Sequence, residues 1–288
     1  MRVAVIDGRC MPGDEAKLSV FDRGFLFGDS AFETLRTYRR EPFELDAHLE
    51  RMGRSLEALA FPIAVPADAL REDLHVALST VDHGESWIRL YLSRGEGPPG
   101  LDPADAKEPS RVVLVDALRT PSVESYLRGV RVRCIETVRA ADALASAKLT
   151  NYVASMLATR EARRHGDDEA LIVDRSGRVI EGATQNVFVV RPGGVLTTPP
   201  VDVGVLDGIT RRIVLELARE SRLRVELTAH TPAELCDAEE VFLTSSLREL
   251  VAVSHVDGVP LRSSPGPLTR TLHDAFRRRV GIPPVPYS

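Results

Sequence analysis

The pattern of hydrophobic and polar positions in the first part of the chain reads as a mixed sheet with covering helices. Residues 2–6 form a short apolar run that stops at Asp7-Gly8, and residues 32–38 form a second run followed by the turn Arg39-Arg40-Glu41-Pro42. Leu49, Met52, Leu56 and Leu59 then recur at helical spacing, with Asp46 placed to cap that helix. A second helix is predicted over 66–81, and strands over 87–93 and 111–116. Residues 94–109 are rich in Gly, Pro and Asp and read as a long loop, either a disordered insertion or a gating or dimer-contact segment. The periodicity fades between 118 and 129. It resumes with a strand over 130–138 and a helix carrying Tyr152, Val153, Met156, Leu157 and Ala158. Two hairpins follow, turning at Arg175-Ser176-Gly177 and Pro192-Gly193-Gly194, and helical spacing returns over 209–221 and 267–279.

A chain of 288 residues is long for one core, so two domains are expected: 1–118, a linker at 119–129, and 130–288. A hydrophobic share of 43% with 27% charged residues is ordinary for a soluble globular protein. The net charge of −5 gives no basic footprint, so nucleic acid is not expected as a partner. Cys10, Cys134 and Cys236 are far apart and odd in number. They offer neither a disulfide framework nor metal spacing, and they fit a reducing cytoplasm as packing residues. The apolar run at the start is too short for a secretory signal, and no stretch is long enough to cross a bilayer.

Two side chains suggest chemistry. Lys148 lies among small and apolar neighbours in Ala145-Ser146-Ala147-Lys148-Leu149-Thr150-Asn151-Tyr152. An amine in such surroundings loses its preference for the proton through desolvation and can attack a carbonyl. Glu181 opens Glu181-Gly182-Ala183-Thr184-Gln185-Asn186. A carboxylate can hold a pyridine nitrogen protonated. The segment Leu206-Asp207-Gly208-Ile209-Thr210 leads into an apolar-periodic helix, and a helix start offers N–H groups and a positive dipole end to a phosphate. Read from the residues alone, it is an ordinary capped helix start, as Arg51 is an ordinary solvated or surface-paired arginine.

Further motifs carry a family resemblance: Ser19-Val20-Phe21-Asp22-Arg23-Gly24-Phe25-Leu26-Phe27-Gly28-Asp29, His48-Leu49-Glu50-Arg51-Met52, Lys148-Leu149-Thr150-Asn151-Tyr152, Glu181-Gly182, Leu206-Asp207-Gly208-Ile209-Thr210-Arg211, Thr244-Ser245-Ser246, and Pro265-Gly266-Pro267-Leu268-Thr269. In this order they resemble the class IV, fold-type IV pyridoxal phosphate aminotransferases, a group of branched-chain and D-amino acid aminotransferases and 4-amino-4-deoxychorismate lyases. The resemblance implies a two-domain α/β fold of mixed sheets with the site between domains, a homodimer, and pyridoxal 5'-phosphate carried on Lys148. It assigns the ring nitrogen to Glu181, the ring oxygen to Tyr152, and the phosphate to Arg51, Gly208, Ile209, Thr210 and Ser246. If 148–152 is helical, Lys148 and Tyr152 share a helix face.

The implied reaction moves an amino group from an amino acid to a 2-keto acid, 2-oxoglutarate or pyruvate, with Lys148 shuttling the proton. Trp87-Ile88-Arg89 resembles the pocket strand of branched-chain enzymes, and Phe27 and Phe32 suit an apolar side chain. Ser93-Arg94-Gly95-Glu96-Gly97 and Thr244-Ser245-Ser246-Leu247-Arg248 resemble lyase segments instead, with Leu247 and Arg248 as substrate contacts. Arg248 is otherwise expected in a surface ion pair with Glu249. The Arg-x-His pair of the best-known D-amino acid aminotransferases is missing from the loop after Ser93. A D-specific enzyme with a different carboxylate clamp stays open.

Overall fold

The computed structural model describes residues 1–61, 64–106, 108–137, 144 and 146–287. Lys107, Val138 and Ala145, which entered the sequence reading, lie outside the described residues. The chain divides into two compact α/β units: Met1–Arg119 with Ala147–Asn151, and Thr120–Ser146 with Tyr152–Ser288. The segment around Lys148, expected with the C-terminal half, therefore clusters with the first unit.

The first unit contains β1 (Val3–Ile6), β2 (Arg9–Pro12), α1 (Arg23–Phe27), β3 (Ser30–Tyr38), β4 (Glu41–Pro42), α2 (Leu45–Ala58), α3 (Ala67–Thr80), β5 (Ser86–Ser93) and β6 (Ser110–Ala117). Its strands form one sheet in the order β2-β1-β6-β5-β3-β4, antiparallel throughout. The two-residue period of β5 explains how the sheet divides its faces. Ile88, Leu90 and Leu92 join Leu35 and Val113 in a core with Met52 and Leu56 of α2 and Leu70 and Leu74 of α3. Trp87, Arg89 and Tyr91 alternate with them and stay half-buried on the opposite face. Asp46 is not the cap of α2. The chain enters through Glu44 in a left-handed conformation (φ 55°), so the helix begins at Leu45 and Asp46 lies inside its first turn, paired with Arg71.

Residues 94–105 are pinned. Arg94 Nε and Arg23 Nε both donate to Asp29 Oδ2, at 2.7 and 3.0 Å. Arg94 also donates to Leu59 O, and Arg23 to the carbonyls of Gly100 and Leu101. Gly97 N–H bonds to Phe21 O, and a short 3₁₀ turn covers Pro103–Asp105.

The second unit contains α4 (Val123–Arg128), β7 (Val130–Glu136), α5 (Val153–Arg164), β8 (Glu169–Val173), β9 (Val179–Gly182), β10 (Asn186–Arg191), β11 (Val195–Thr198), α6 (Ile209–Glu220), β12 (Val225–Leu227), α7 (Pro232–Cys236), β13 (Glu240–Ser245), β14 (Glu249–Val256), β15 (Val259–Pro260) and α8 (Pro267–Arg279). Its sheet runs β12-β11-β10-β13-β14-β7-β8-β9, with β15 added against β14. Parallel pairing at β11/β12, β14/β7 and β7/β8 makes it mixed. Both expected hairpins are present. Phe188 and Phe242 stack at 4.9 Å inside this unit.

Helix α5 forms where its spacing predicted, but most of the apolar residues that mark it do not lie on its buried face. Ser155, Ala158 and Ala162 are buried, whereas Val153, Met156 and Leu157 are exposed. Cys134 and Cys236 pack against the core as expected, while Cys10 is exposed. Helix α8 starts at Gly266, whose missing side-chain cap is supplied by Glu240 of β13. That carboxylate accepts from Leu268 N, Thr269 N and Thr269 Oγ1 at 2.7–2.9 Å. Among the described residues no helix is long and apolar enough to cross a membrane.

Candidate active site

In the first unit Lys148 and Arg89 converge on Phe32. Its ring is buried on β3, stacked against Tyr91 with centroids 5.9 Å apart. Lys148 Nζ lies 4.5 Å from the ring centroid, and the Arg89 guanidinium carbon lies at the same distance. Arg89 also approaches Trp87 at 5.4 Å and donates to Thr34 Oγ1. Lys148 is not helical. Phe32 N–H donates to Lys148 O at 3.1 Å, and Leu149 bridges Ala31 in antiparallel fashion, so this segment lies along β3. Tyr152 is the N-cap residue of α5, and the shared helix face expected for Lys148 and Tyr152 does not exist. Phe27 stands half-exposed at the end of α1, with the Arg23 guanidinium 4.9 Å from its ring.

Arg51 is neither solvated nor in a surface pair. It projects from α2 onto Glu33 of β3, with Nε to Oε1 at 2.8 Å and Nη2 to Oε2 at 2.6 Å, both side chains buried. His48, one turn earlier, places Nδ1 2.7 Å from the same Oε2. Burial would raise the Glu33 pKa, but the charge and hydrogen bonds of Arg51, joined by His48, outweigh it and hold the carboxyl at about 2. Burial depresses His48 below its usual value despite the carboxylate beside it. The neutral ring thus donates Nδ1–H, and its Nε2 has no hydrogen-bond partner among the described residues. Ser55, one turn beyond Arg51, accepts Lys148 N–H at 2.9 Å.

Glu33, Ser55 and Tyr91 were missed by sequence reading, and His48 entered it only as part of the Arg51 motif. For Glu33 a signal existed: it shares the Ala31/Leu35 face of β3, where a carboxylate must be paired. The partners of Ser55 and Tyr91 lie far away in sequence, so nothing local marked them.

In the second unit Glu181 is buried on β9 and accepts Leu206 N–H at 3.2 Å. Asn186 of β10 donates to Leu206 O at 2.8 Å, fixing the turn into α6. A Cβ on Gly208 would stand 1.9 Å from Asn186 Oδ1, so only glycine fits this approach. Helix α6 then begins at Ile209 and Thr210, both buried, and Gly208 gives it no side-chain cap. Asn186 pairs across the sheet with Thr244, whose buried Oγ1 lacks a hydrogen-bond partner among the described residues. A buried carboxylate and an uncapped, buried helix start therefore flank one loop. That donor and acceptor set fits a phosphorylated ring with a basic nitrogen.

Ser246, Leu247 and Arg248 form the partly exposed turn between β13 and β14. Arg248 is ion-paired with Glu169, not with Glu249 as expected. Glu249 is buried and engaged by His273 Nε2 at 2.8 Å and Arg277 Nη1 at 2.9 Å. Tyr152 lines a shallow cavity of about 340 Å³ with Ser155, Met156, Thr159 and Thr184.

Residues 30–256 match the family model of amino-transferase class IV. A Methanocaldococcus jannaschii relative, provisionally named a branched-chain-amino-acid aminotransferase, is 34% identical over 94% of each chain. The aminodeoxychorismate lyase of Bacillus subtilis is 30% identical over 96% of this chain and 94% of its own. The solved structure of the branched-chain amino acid aminotransferase of Escherichia coli superposes with a TM-score of 0.88 at 28% identity, covering 95% of this chain and 93% of that one. This chain belongs to the class IV aminotransferases, and the resemblance of its motifs, its mixed α/β fold and its enzymatic class all follow that membership.

Proposed function

We propose that the protein is a pyridoxal 5'-phosphate-dependent transaminase that moves an amino group from an apolar, branched-chain-like amino acid to a 2-keto acid. The observation that carries this reading is the Lys148 amine poised over Phe32 with Arg89 on the same ring. When bound, the cofactor would supply an aldehyde to join Lys148 and a ring that accepts electrons. Lys148 would carry it and then move the proton at the substrate α-carbon. Glu181 would hold the ring nitrogen protonated and Tyr152 the ring oxygen. Arg51, Gly208, Ile209, Thr210 and Ser246 would hold the phosphate. Phe27, Phe32, Leu247 and Arg248 would bound the substrate, and Arg89 would meet a carboxylate. The two compact units would be the enzyme's domains.

The lyase relative supports a second reading, elimination of pyruvate from aminodeoxychorismate. Against it, Arg94, a cation of the lyase-like segments, is committed through all three of its nitrogens to Asp29 and to the Leu59 and Ala60 carbonyls. The exposed apolar residues of α5, with Phe21 and Phe25, support a homodimer, and the free cysteines support a cytoplasmic location.

The deciding experiment follows glutamate formation from an L-branched amino acid and 2-oxoglutarate, with borohydride trapping of the cofactor. Wild type should form glutamate and trap label on Lys148, and Lys148→Ala should lose both. Turnover retained by Lys148→Ala would overturn the assignment. Pyruvate and p-aminobenzoate from aminodeoxychorismate, without glutamate from the amino acid, would select the lyase.

A further inference from the structure

We infer that Ser55 is a positioning residue for Lys148, setting where along β3 the reactive amine sits. The inference rests on the reading of Lys148 as the reactive lysine and adds what holds it. Ser55 is fully buried in the last half of α2, where an alanine would pack and carry no polar group to satisfy. Its hydroxyl is committed in both directions. The proton goes to Arg51 O at 3.1 Å, and the oxygen accepts Lys148 N–H at 2.9 Å. On the other side of the same residue, Lys148 O accepts Phe32 N–H at 3.1 Å.

The lysine backbone is thus tied at its N–H to a helix and at its C=O to a strand. Those two ties fix the origin of a long, flexible side chain whose amine reaches the Phe32 ring. The helix end of the clamp is itself immobilised, because Arg51, the residue receiving the Ser55 proton, is locked onto Glu33 by two hydrogen bonds. One turn of α2 therefore places an arginine and a lysine backbone from a single rigid origin. A small displacement of a reacting group has a large effect on rate, so losing one tie should register in the chemistry before it registers in global stability.

The test measures residue-resolved amide hydrogen exchange and the single-turnover rate with a saturating amino donor, on the full chain as purified. In Ser55→Ala the Lys148 amide should exchange about tenfold faster and the single-turnover rate should fall about tenfold, the scale of one lost hydrogen bond. Amides of Met52 and Leu56 should be unchanged, and Ser55→Thr should stay within about threefold of wild type by the same hydrogen-bond scale. Equal behaviour of the Ala and Thr variants, both normal or both impaired, overturns the inference. So does faster exchange across all of α2, which would report general loosening. A wild-type Lys148 amide that exchanges without protection overturns it with no variant needed. These outcomes are separable from failure of the broader reading, which would appear as turnover surviving Lys148→Ala.

Discussion

Glu33, His48 and Arg51 show how a single carboxylate organises charge under the sheet. The folded-state pKa of Glu33 is about 2 against a reference of 4.5. Its contribution to stability is therefore present above about pH 4.5 and is lost as pH falls through about 2. His48, neutral in the fold and depressed from 6.5, acts with the same sign, since below that pH the unfolded chain takes up a proton that the buried ring resists. Urea unfolding should give falling stability as pH drops below 6.5 and a further fall below about 4.5. Glu33→Gln should cost about 3 kcal/mol at pH 7 by stranding Arg51, and should remove the lower segment of the pH dependence. An unchanged profile in that variant would contradict the triad. Sequence motifs found Arg51 but not its environment, because the carboxylate that decides its geometry sits on another element 18 residues away.

At the scale of elements, the starts of α6 and α8 and the buried face of α2 were legible, whereas the starts of α2 and α5 and the face of α5 were not. Gly208-Ile209 and Gly266-Pro267 were readable as N-termini, because glycine and proline act locally. What fills each start was not, because Glu240 reaches α8 from a distant strand, while among the described residues no side chain caps α6. The two glycines should respond differently to alanine. At Gly266 the new Cβ would meet Glu240 Cδ at 2.1 Å, so the change should lower stability by about 1–3 kcal/mol in thermal unfolding with cofactor retention intact. At Gly208 it would meet Asn186 at 1.9 Å, so cofactor should dissociate faster in a desalting assay. The reverse pattern would remove α6 from the phosphate site. Periodicity also misjudged Lys148. It followed the helix that begins at Val153 too far back, across a segment that pairs with β3 instead.

For the whole molecule, the order of motifs carried the α/β character and the family. Composition added little beyond permitting a globular fold. Solvent-facing apolar residues on α5 were invisible to periodicity, which counts Met156 and Leu157 as core wherever they recur. Their exposure supports the proposed dimer. Met156→Glu should shift sedimentation from dimer toward monomer at micromolar concentration while leaving the far-ultraviolet spectrum unchanged. A wild-type chain that sediments only as a monomer would end the dimer proposal.

The anchoring of 94–101 by Arg23 and Asp29 bears on any attempt to re-engineer selectivity through that stretch. Transplanting it from another family member would disturb the ties of Arg23 to two carbonyls and of Phe21 to Gly97, leaving a buried guanidinium with Asp29 alone of its three acceptors. A successful chimera has to exchange 21–29 together with 94–101 as one cassette.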